Sequence, residues 1–174
     1  MFDEIKRAST LLIFFYILLI KQNKELLVAY IFTFIFNYIL KNAIFKPLMR
    51  DSVFPFLGSG LRPPGAKNCG LWSDDDDDDT SLNYDDNMSL NYGMPSGHAQ
   101  LITFFLTSQL LDNDLNQKTK LFLILLSLYL LYTRVELGCH TWQQVILGAL
   151  FGIISYFLFV RMNKGMKKRN GMNE

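Results

Sequence analysis

The sequence predicts an all-α protein, a polytopic transmembrane helix bundle of about five spans with a long polar loop between spans two and three. Half of its 174 residues are hydrophobic, which is high for a soluble domain. These residues fall into five blocks without a polar stripe, as expected of helices surrounded by lipid. A chain of this length forms one domain, and one soluble domain could not bury five such helices. We therefore treat residues 1–174 as a single membrane-embedded unit.

The five apolar blocks are the candidate spans. In chain order they are Ala8–Ile20, Leu26–Leu40, Leu101–Leu111, Leu121–Tyr132 and Val145–Val160. Each is shorter than the ~20 residues that cross a hydrocarbon core, but a turn of mildly polar residues at each end brings it close to that length. The first block follows acidic as well as basic residues and lacks a small-residue cleavage site, so we predict a retained anchor and not a signal peptide.

The segments outside the spans are polar. The loop 41–97 contains an acidic stretch, residues 73–91, which we predict to be a flexible insertion because its adjacent aspartates repel one another. Asn87-Met88-Ser89 within it is a glycosylation sequon if the loop is lumenal. The C-terminal residues 163–174 form a basic tail. Lys and Arg are concentrated on the side of that tail, which places it in the cytosol and the long loop in the lumen.

Charge and cysteine usage exclude several classes of function. The formal net charge is +1, so nothing indicates a nucleic-acid partner. Cys69 and Cys139 do not form a zinc-binding pattern, and no other ligand set is present, so we expect neither a metal nor a cofactor. A disulfide between the two cysteines would require that both face an oxidising lumen. The sequence alone does not favour that bond.

Three polar clusters fall at the ends of spans on the predicted lumenal face. Their residues are Lys41, Lys46, Arg62 and Lys67 after the second span, Ser96-Gly97-His98 at the start of the third, and Arg134, His140 and Gln144 between the last two. Guanidinium groups and helix starts bind phosphate oxygens, and both histidines of the chain lie in these clusters. Any one of them alone would be an ordinary interfacial residue. Their joint placement favours an anion-binding site.

Two of these clusters resemble motifs of the type 2 phosphatidic acid phosphatase superfamily. The second family motif is complete in Pro95-Ser96-Gly97-His98, and Thr133-Arg134-x5-His140-x3-Gln144 is similar to the third, in which Ser and Asp stand at the two ends. The stretches "YGMPSGHAQ" and "HTWQQV" resemble the dolichyl diphosphate phosphatase branch, where the last motif position is also Gln.

The first family motif, Lys-x6-Arg-Pro, is not present in that form. The position seven residues after Lys41 is Leu48, and Arg-Pro occurs only at Arg62-Pro63. An insertion in the loop would leave Lys41 and Arg62 as the pair, which is the assignment we favour. Lys46 or Lys67 is the alternative source of the ammonium group.

The resemblance implies a role for each site residue. His140 would be the nucleophile that becomes a phosphohistidine, and His98 would protonate the leaving oxygen and then activate water. Gln144, one helical turn after His140, would accept a hydrogen bond from its Nδ1 without the charge of a carboxylate. The residues expected to hold the phosphoryl oxygens are Lys41, Arg62, Ser96, Gly97 and Arg134.

The resemblance also implies a class of substrate and a location. We expect a multi-pass membrane phosphatase of the endoplasmic reticulum or a related internal membrane, with its active site lumenal, that acts on a polyprenyl or dolichyl diphosphate. The alternatives are a broader lipid phosphatase acting on phosphatidate-like phosphomonoesters and a non-catalytic lipid-binding relative. The haloperoxidases of the superfamily are soluble and do not fit these apolar blocks.

Overall fold

A computed structural model describes residues 23–49, 56–64, 66 and 92–169, together with Ile13, Phe15 and Tyr16. Within these residues the regular elements are all helices, and extended backbone pairs in an isolated antiparallel bridge between Leu61 and Tyr92. The prediction of an all-α protein is confirmed for this part of the chain. Apart from the three single residues, the span predicted at Ala8–Ile20 lies outside the described residues.

Four helices contain the remaining predicted spans in the described ranges. They are α1, Lys24–Met49; α2, Gly97–Leu110; α3, Gln117–Glu136; and α4, Trp142–Arg169. The side chains of Asn23, Ser96 and Asn116 cap the first three helices by accepting a hydrogen bond from a backbone N–H three residues further on. Asn and Ser are among the residues preferred at this position, so each of these helices begins where its local sequence favours a start.

Helix α1 continues beyond Leu40, the predicted end of its span, so Lys41 lies in a helix and not in the long loop. Its parts are Lys24–Ile39 in α geometry, a π-helical segment Leu40–Phe45, and a last α turn Lys46–Met49. The Lys46 N–H bonds to the Lys41 carbonyl, five residues back. The predicted boundary was wrong because Phe45 and Met49 are buried and extend the apolar face past the polar residues. Such π segments frequently lie at functional sites.

Helix α2 packs closely against α4. A Cβ atom on Gly148 would strike the Ser96 carbonyl oxygen, and one on Gly152 would strike Thr103. Thr103 Oγ1 donates a hydrogen bond across the interface to the Ala149 carbonyl at 2.9 Å. Small residues that let backbones approach, with hydroxyls that bond across the gap, are typical of helix packing in membranes. This contact places the start of α2 beside the first turns of α4.

The outward faces of the helices are apolar. Among the described residues, α1 over Lys24–Met49 and α4 over Trp142–Met166 are long and apolar enough to cross a membrane, and 28% and 22% of their apolar windows are buried. A core helix of a soluble protein would be mostly buried. Exposed side chains such as Phe34 and Phe157 are therefore suited to contact lipid. Two candidate spans, not the predicted five, thus meet this criterion in the described ranges.

Candidate active site

A glycine-terminated turn at the end of α3 brings His140 back beside Arg134. Gly138 has a φ of 66°, in the left-handed region that glycine adopts without strain. Its N–H donates to the Val135 carbonyl at 2.9 Å, and the Cys139 N–H donates to the Arg134 carbonyl at 3.2 Å, which is the Schellman arrangement. The His140 N–H donates to the same Arg134 carbonyl at 3.1 Å. The spacing between Arg134 and His140 is therefore the length of this turn.

Helix α4 begins with a capping box that contains Gln144. The Gln144 N–H donates to Thr141 Oγ1 at 3.4 Å, and the Thr141 N–H donates to Gln144 Oε1 at 3.3 Å, as expected for Thr followed three residues later by Gln. The same Oε1 lies 3.1 Å from His140 Nδ1. Because an amide oxygen only accepts hydrogen bonds, it selects the tautomer of His140 that carries its hydrogen on Nδ1. The lone pair is then on Nε2.

The other end of the Gln144 amide fixes the segment that carries Arg62. Gln144 Nε2 donates to the Leu61 carbonyl at 2.6 Å and to the Ser59 carbonyl at 3.1 Å. Both amide hydrogens therefore face carbonyl oxygens, which determines the orientation of the amide. The side chain is fully buried, with 0% exposed. Gln144 thus connects the His140 imidazole to the backbone on both sides of Gly60.

The same segment is bonded to the chain that leads into α2. The Gly93 N–H donates to the Gly60 carbonyl at 2.8 Å, and the Ser96 N–H donates to the Gln144 carbonyl at 3.1 Å. The Arg62 segment, the turn before α2 and the start of α4 are therefore one hydrogen-bonded assembly. The Ser96 N–H is used in this assembly, so it is not one of the backbone donors open to a phosphate.

Three cationic side chains act on His140. Burial lowers the pKa of His140 to about 3, and the positive charges of Arg62, Lys41 and Arg134 lower it as well, whereas the hydrogen bond that His140 donates to Gln144 acts in the opposite direction. The ring is consequently neutral near pH 7. Arg134 is fully buried, with 0% exposed, and burial lowers the pKa of Arg62. Like charges held together away from water are stabilised by an anion placed between them, so this arrangement suits phosphate.

The start of α2 adds neutral donors beside these cations. Ser96 Oγ accepts a hydrogen bond from the Ala99 N–H at 3.4 Å, which leaves its hydroxyl hydrogen to donate. Gly97 is the first residue of the helix, so its N–H has no carbonyl within the helix to bond, and the helix dipole favours an anion there. His98 follows on the first turn, half-buried, with Nε2 shielded from solvent.

The structure therefore brings Lys41, Arg62, Arg134 and Gln144 to His140, and Ser96 to the Gln144 carbonyl. Of the alternatives for the first motif, Lys46 lies further along α1 and is not among the charges that act on His140. Lys67 lies outside the described residues. Arg62 Nε is buried and has no hydrogen-bond partner in the described part of the chain, as expected of a group that binds a ligand.

Sequence reasoning missed two residues that contact the site. Gly93 lies against Gln144, and a Cβ atom there would strike Oε1. Asn37 lies one helical turn before Lys41 and contacts Gly97, where a Cβ atom would be 2.9 Å from Asn37 Oδ1. The available signals were the position of Gly93 inside "YGMPSGHAQ" and the presence of a carboxamide within an apolar span.

Cys139 is disulfide-bonded, which corrects the expectation from sequence. The chain has one other cysteine, Cys69, which lies outside the described residues. The expectation failed because two cysteines so far apart in sequence give no sign that their segments meet. Cys139 directly precedes His140 and is 1% exposed, so the bond constrains the turn that carries the imidazole.

The rest of the described chain holds no comparable constellation. No group of three or more His, Cys, Asp or Glu side chains in it could hold a metal ion. A cavity of about 500 Å³ opens at the opposite end of the bundle, between the first turn of α1 and the last turns of α4. None of the motif residues lines this cavity, so it is separate from the histidine site.

A histidine fixed in one tautomer beside three cations, at one end of an apolar helix bundle, is an arrangement suited to a protein that binds phosphate groups at a membrane surface. The family model described as the PAP2 superfamily matches residues 23–167, and this chain belongs to that superfamily. Phosphatases and related hydrolases are members of it, so membership supports phosphatase activity on a phosphoester substrate. Neither a curated protein nor a solved structure matches the chain.

Proposed function

We propose that this protein is an integral membrane phosphatase that removes the terminal phosphate from a lipid diphosphate, of the polyprenyl or dolichyl type, through a phosphohistidine. The observation that carries the proposal is the 3.1 Å contact between His140 Nδ1 and Gln144 Oε1 beside Arg62, Lys41 and Arg134. It leaves a neutral Nε2 lone pair next to a cluster of positive charge. A nucleophile beside fixed cations is the arrangement that phosphoryl transfer requires.

The reaction proceeds in two steps. Nε2 of His140 attacks the terminal phosphorus, and the bond from phosphorus to the bridging oxygen breaks. The leaving lipid phosphate takes a proton from His98, which starts in its protonated form. Water then attacks the phosphorus of the phosphohistidine, and His98, now neutral, takes a proton from that water. Inorganic phosphate leaves, and His140 returns to its neutral form with the hydrogen on Nδ1.

Gln144 favours an anhydride over an ester as substrate. Its neutral amide cannot stabilise the positive charge that His140 acquires as a phosphohistidine, whereas a carboxylate could. The nucleophile is therefore less strongly activated and depends more on the leaving group. The lipid phosphate released from a diphosphate is a far weaker base than the alkoxide released from a phosphomonoester. This argument supports a lipid diphosphate over phosphatidate.

Three features support a membrane location with the site on the lumenal side. The exposed apolar faces of α1 and α4 suit lipid. Disulfides persist in oxidising compartments, and the disulfide of Cys139 is next to His140. Basic residues lie at the other ends of the helices, namely Lys24, Lys118, Lys120, Arg161 and Lys164, as expected for a cytosolic face. The endoplasmic reticulum offers both a membrane and an oxidising lumen.

The test is phosphate release from dolichyl diphosphate by the detergent-solubilised protein in EDTA. His140→Ala is expected to abolish release because the Nε2 lone pair is lost. Its unfolding temperature is expected to stay near that of the wild type. The matched control is Gln143→Ala, a change to an exposed residue of the same turn, which is expected to retain activity. Phosphatidate is assayed in parallel and is expected to be the poorer substrate.

The outcomes separate the competing hypotheses. Full activity of His140→Ala would eliminate the phosphohistidine route. Faster release from phosphatidate than from the diphosphate would replace the proposed substrate with a phosphomonoester. Absence of release from both lipids by the wild type would favour a non-catalytic lipid-binding role.

A further inference from the structure

A chain of hydrogen-bonded polar side chains, one half-buried and two fully buried, crosses three helices beneath the site. Asn37 Nδ2 on α1 donates to Gln100 Oε1 on α2 at 2.7 Å, and Gln100 Nε2 donates to Ser155 Oγ on α4 at 3.0 Å. Ser155 Oγ in turn donates to the Phe151 carbonyl at 2.6 Å. Gln100 and Ser155 are both 0% exposed. We refer to Asn37, Gln100 and Ser155 as the three-helix chain.

One end of this chain, Asn37, lies beside two elements that are expected to bind phosphate. Asn37 is one turn before Lys41 on the same helix face. Its Oδ1 lies against Gly97, 2.9 Å from where a Cβ atom would be. The Asn37 side chain therefore lies between the backbone of α1, which also carries Lys41, and the first residue of α2.

The backbone that carries Lys41 needs such a fixed point. Lys41 lies in the π-helical segment Leu40–Phe45, which begins three residues after Asn37. A π turn is wider than an α turn and rarely forms unless its surroundings support it. Amides inside an apolar bundle are unfavourable unless they are hydrogen-bonded, and the amides of Asn37 and Gln100 bond to each other close to where α1 changes its geometry.

We propose that Asn37 is a positioning residue for the phosphate site. Through Gln100 and Ser155 it holds Lys41 in register with the Ser96–Gly97 turn. This inference rests on the proposed function, since it assigns the residue that aligns two of the groups expected to bind the substrate phosphate. Asn37 itself need not contact the substrate; it acts through Lys41 and Gly97.

The test compares Asn37→Leu with Thr33→Val in the detergent-solubilised full chain. Thr33 is fully buried on the same helix, and its hydroxyl bonds within that helix, to the Ala29 carbonyl at 2.9 Å. Both variants remove a hydrogen-bonded polar group from inside the bundle, half-buried in Asn37 and fully buried in Thr33, and are expected to lower the unfolding temperature. Asn37→Leu alone is expected to raise KM for the lipid diphosphate, by roughly ten- to a hundredfold, because misplaced binding groups have effects of that size.

A second readout does not depend on catalysis. Inorganic phosphate is expected to raise the unfolding temperature of the wild type and of Thr33→Val, and Asn37→Leu is expected to require at least about tenfold more phosphate for the same shift. An unchanged KM and phosphate requirement in Asn37→Leu, or an equal change in both variants, would reduce Asn37 to a structural role. If the wild type binds inorganic phosphate but releases none from the lipid, the proposed function is wrong. The role of Asn37 is then decided by the phosphate requirement of Asn37→Leu alone.

Ser155→Ala covers the case in which Asn37→Leu fails to fold. It removes one oxygen atom at the far end of the three-helix chain, with little change in volume. We expect a smaller rise in KM and in the phosphate requirement, in the same direction. If Ser155→Ala leaves both quantities at their wild-type values, the three-helix chain does not align the site.

Discussion

Replacement of Gln144 by Glu distinguishes the role of its contact with His140 from the role of its contacts with the Ser59 and Leu61 carbonyls. The change preserves size and keeps an oxygen to accept from His140 Nδ1, now with a negative charge that would stabilise a phosphohistidine. It also replaces Nε2, which donates to the Leu61 and Ser59 carbonyls at 2.6 and 3.1 Å, with a second oxygen. That oxygen would face two carbonyl oxygens. We therefore expect Gln144→Glu to be impaired at neutral pH, because the segment that holds Arg62 is released.

The magnitude follows from the two bonds that are lost. A neutral hydrogen bond contributes about 0.5–1.5 kcal/mol, and a buried group left without a partner costs about 1–3 kcal/mol. For two carbonyls the first figure gives about 1–3 kcal/mol and the second about 2–6 kcal/mol, so we take their overlap, roughly 2–3 kcal/mol, as the cost of the substitution. Since 1.4 kcal/mol is a factor of ten, kcat/KM is expected to fall by roughly 30- to 150-fold. Part of the loss is expected to be recovered as the pH falls, because a protonated Glu can donate to one carbonyl.

The assay is the initial rate of phosphate release against lipid diphosphate concentration, with Gln143→Glu as the matched control. Gln143 is exposed on the same turn, so this variant adds the same charge without removing a buried donor, and it is expected to stay near wild type. The competing view is that Gln144 acts only through His140. It requires Gln144→Glu to be as active as the wild type or more so. That result, in a folded variant at neutral pH, would refute the reasoning.

Three further predictions concern pH, packing and the disulfide. The pKa of His140 is about 3 in the fold against 6.5 for the free side chain, so as the pH falls the unfolded chain binds a proton before the folded chain does. The stability that this group contributes is therefore complete above about pH 6.5 and declines as the pH falls toward 3. Denaturation midpoints against pH test the decline, and ring nitrogen shifts in histidine-labelled protein are expected to show His140 neutral down to about pH 5. Gly93→Ala displaces Gln144 Oε1 and is expected to lower kcat/KM about tenfold or more. A folded variant with the kcat/KM of the wild type would show that Gly93 does not support the site. Reductant is expected to destabilise the wild type by about 2–4 kcal/mol through the Cys139 disulfide and to leave Cys139→Ala unaffected, as thermal unfolding with and without reductant will show.

Local patterns in the sequence predicted the elements, and distant contacts fixed the site. The blocks Leu26–Leu40, Leu121–Tyr132 and Val145–Val160 lie within helices, and Leu101–Leu111 does so up to its last residue, the C-cap of α2. An apolar run with a polar cap at its start is a local signal, which is why these elements could be predicted. The contact between His140 and Gln144 spans one turn, and its spacing could be read directly. The π segment had no such signal, since its polar residues resemble a loop.

The bonds from Gln144 to Ser59 and Leu61 join residues more than 80 positions apart. No spacing rule reaches that far, and neither Ser59 nor Leu61 offers a side chain that would indicate its role, because their carbonyls make the contact. The bond from Asn37 to Gln100, 63 positions apart, was missed for the same reason. What escaped prediction is therefore the backbone and carboxamide framework that holds the recognisable residues in place.

The isolated bridge between Leu61 and Tyr92, with the Gly93 bond to Gly60, closes the two ends of the intervening stretch against each other. A stretch with fixed ends can change length at a cost of only about 0.6 kcal/mol for each doubling. The sequence repeats Ser-Leu-Asn-Tyr at 81–84 and 89–92, and the second copy ends in Tyr92, the residue of the bridge. A tandem duplication of this kind supplies a new closing residue together with the added length. The acidic stretch can therefore change in length while the pairing of Leu61 with Tyr92 holds its two ends together.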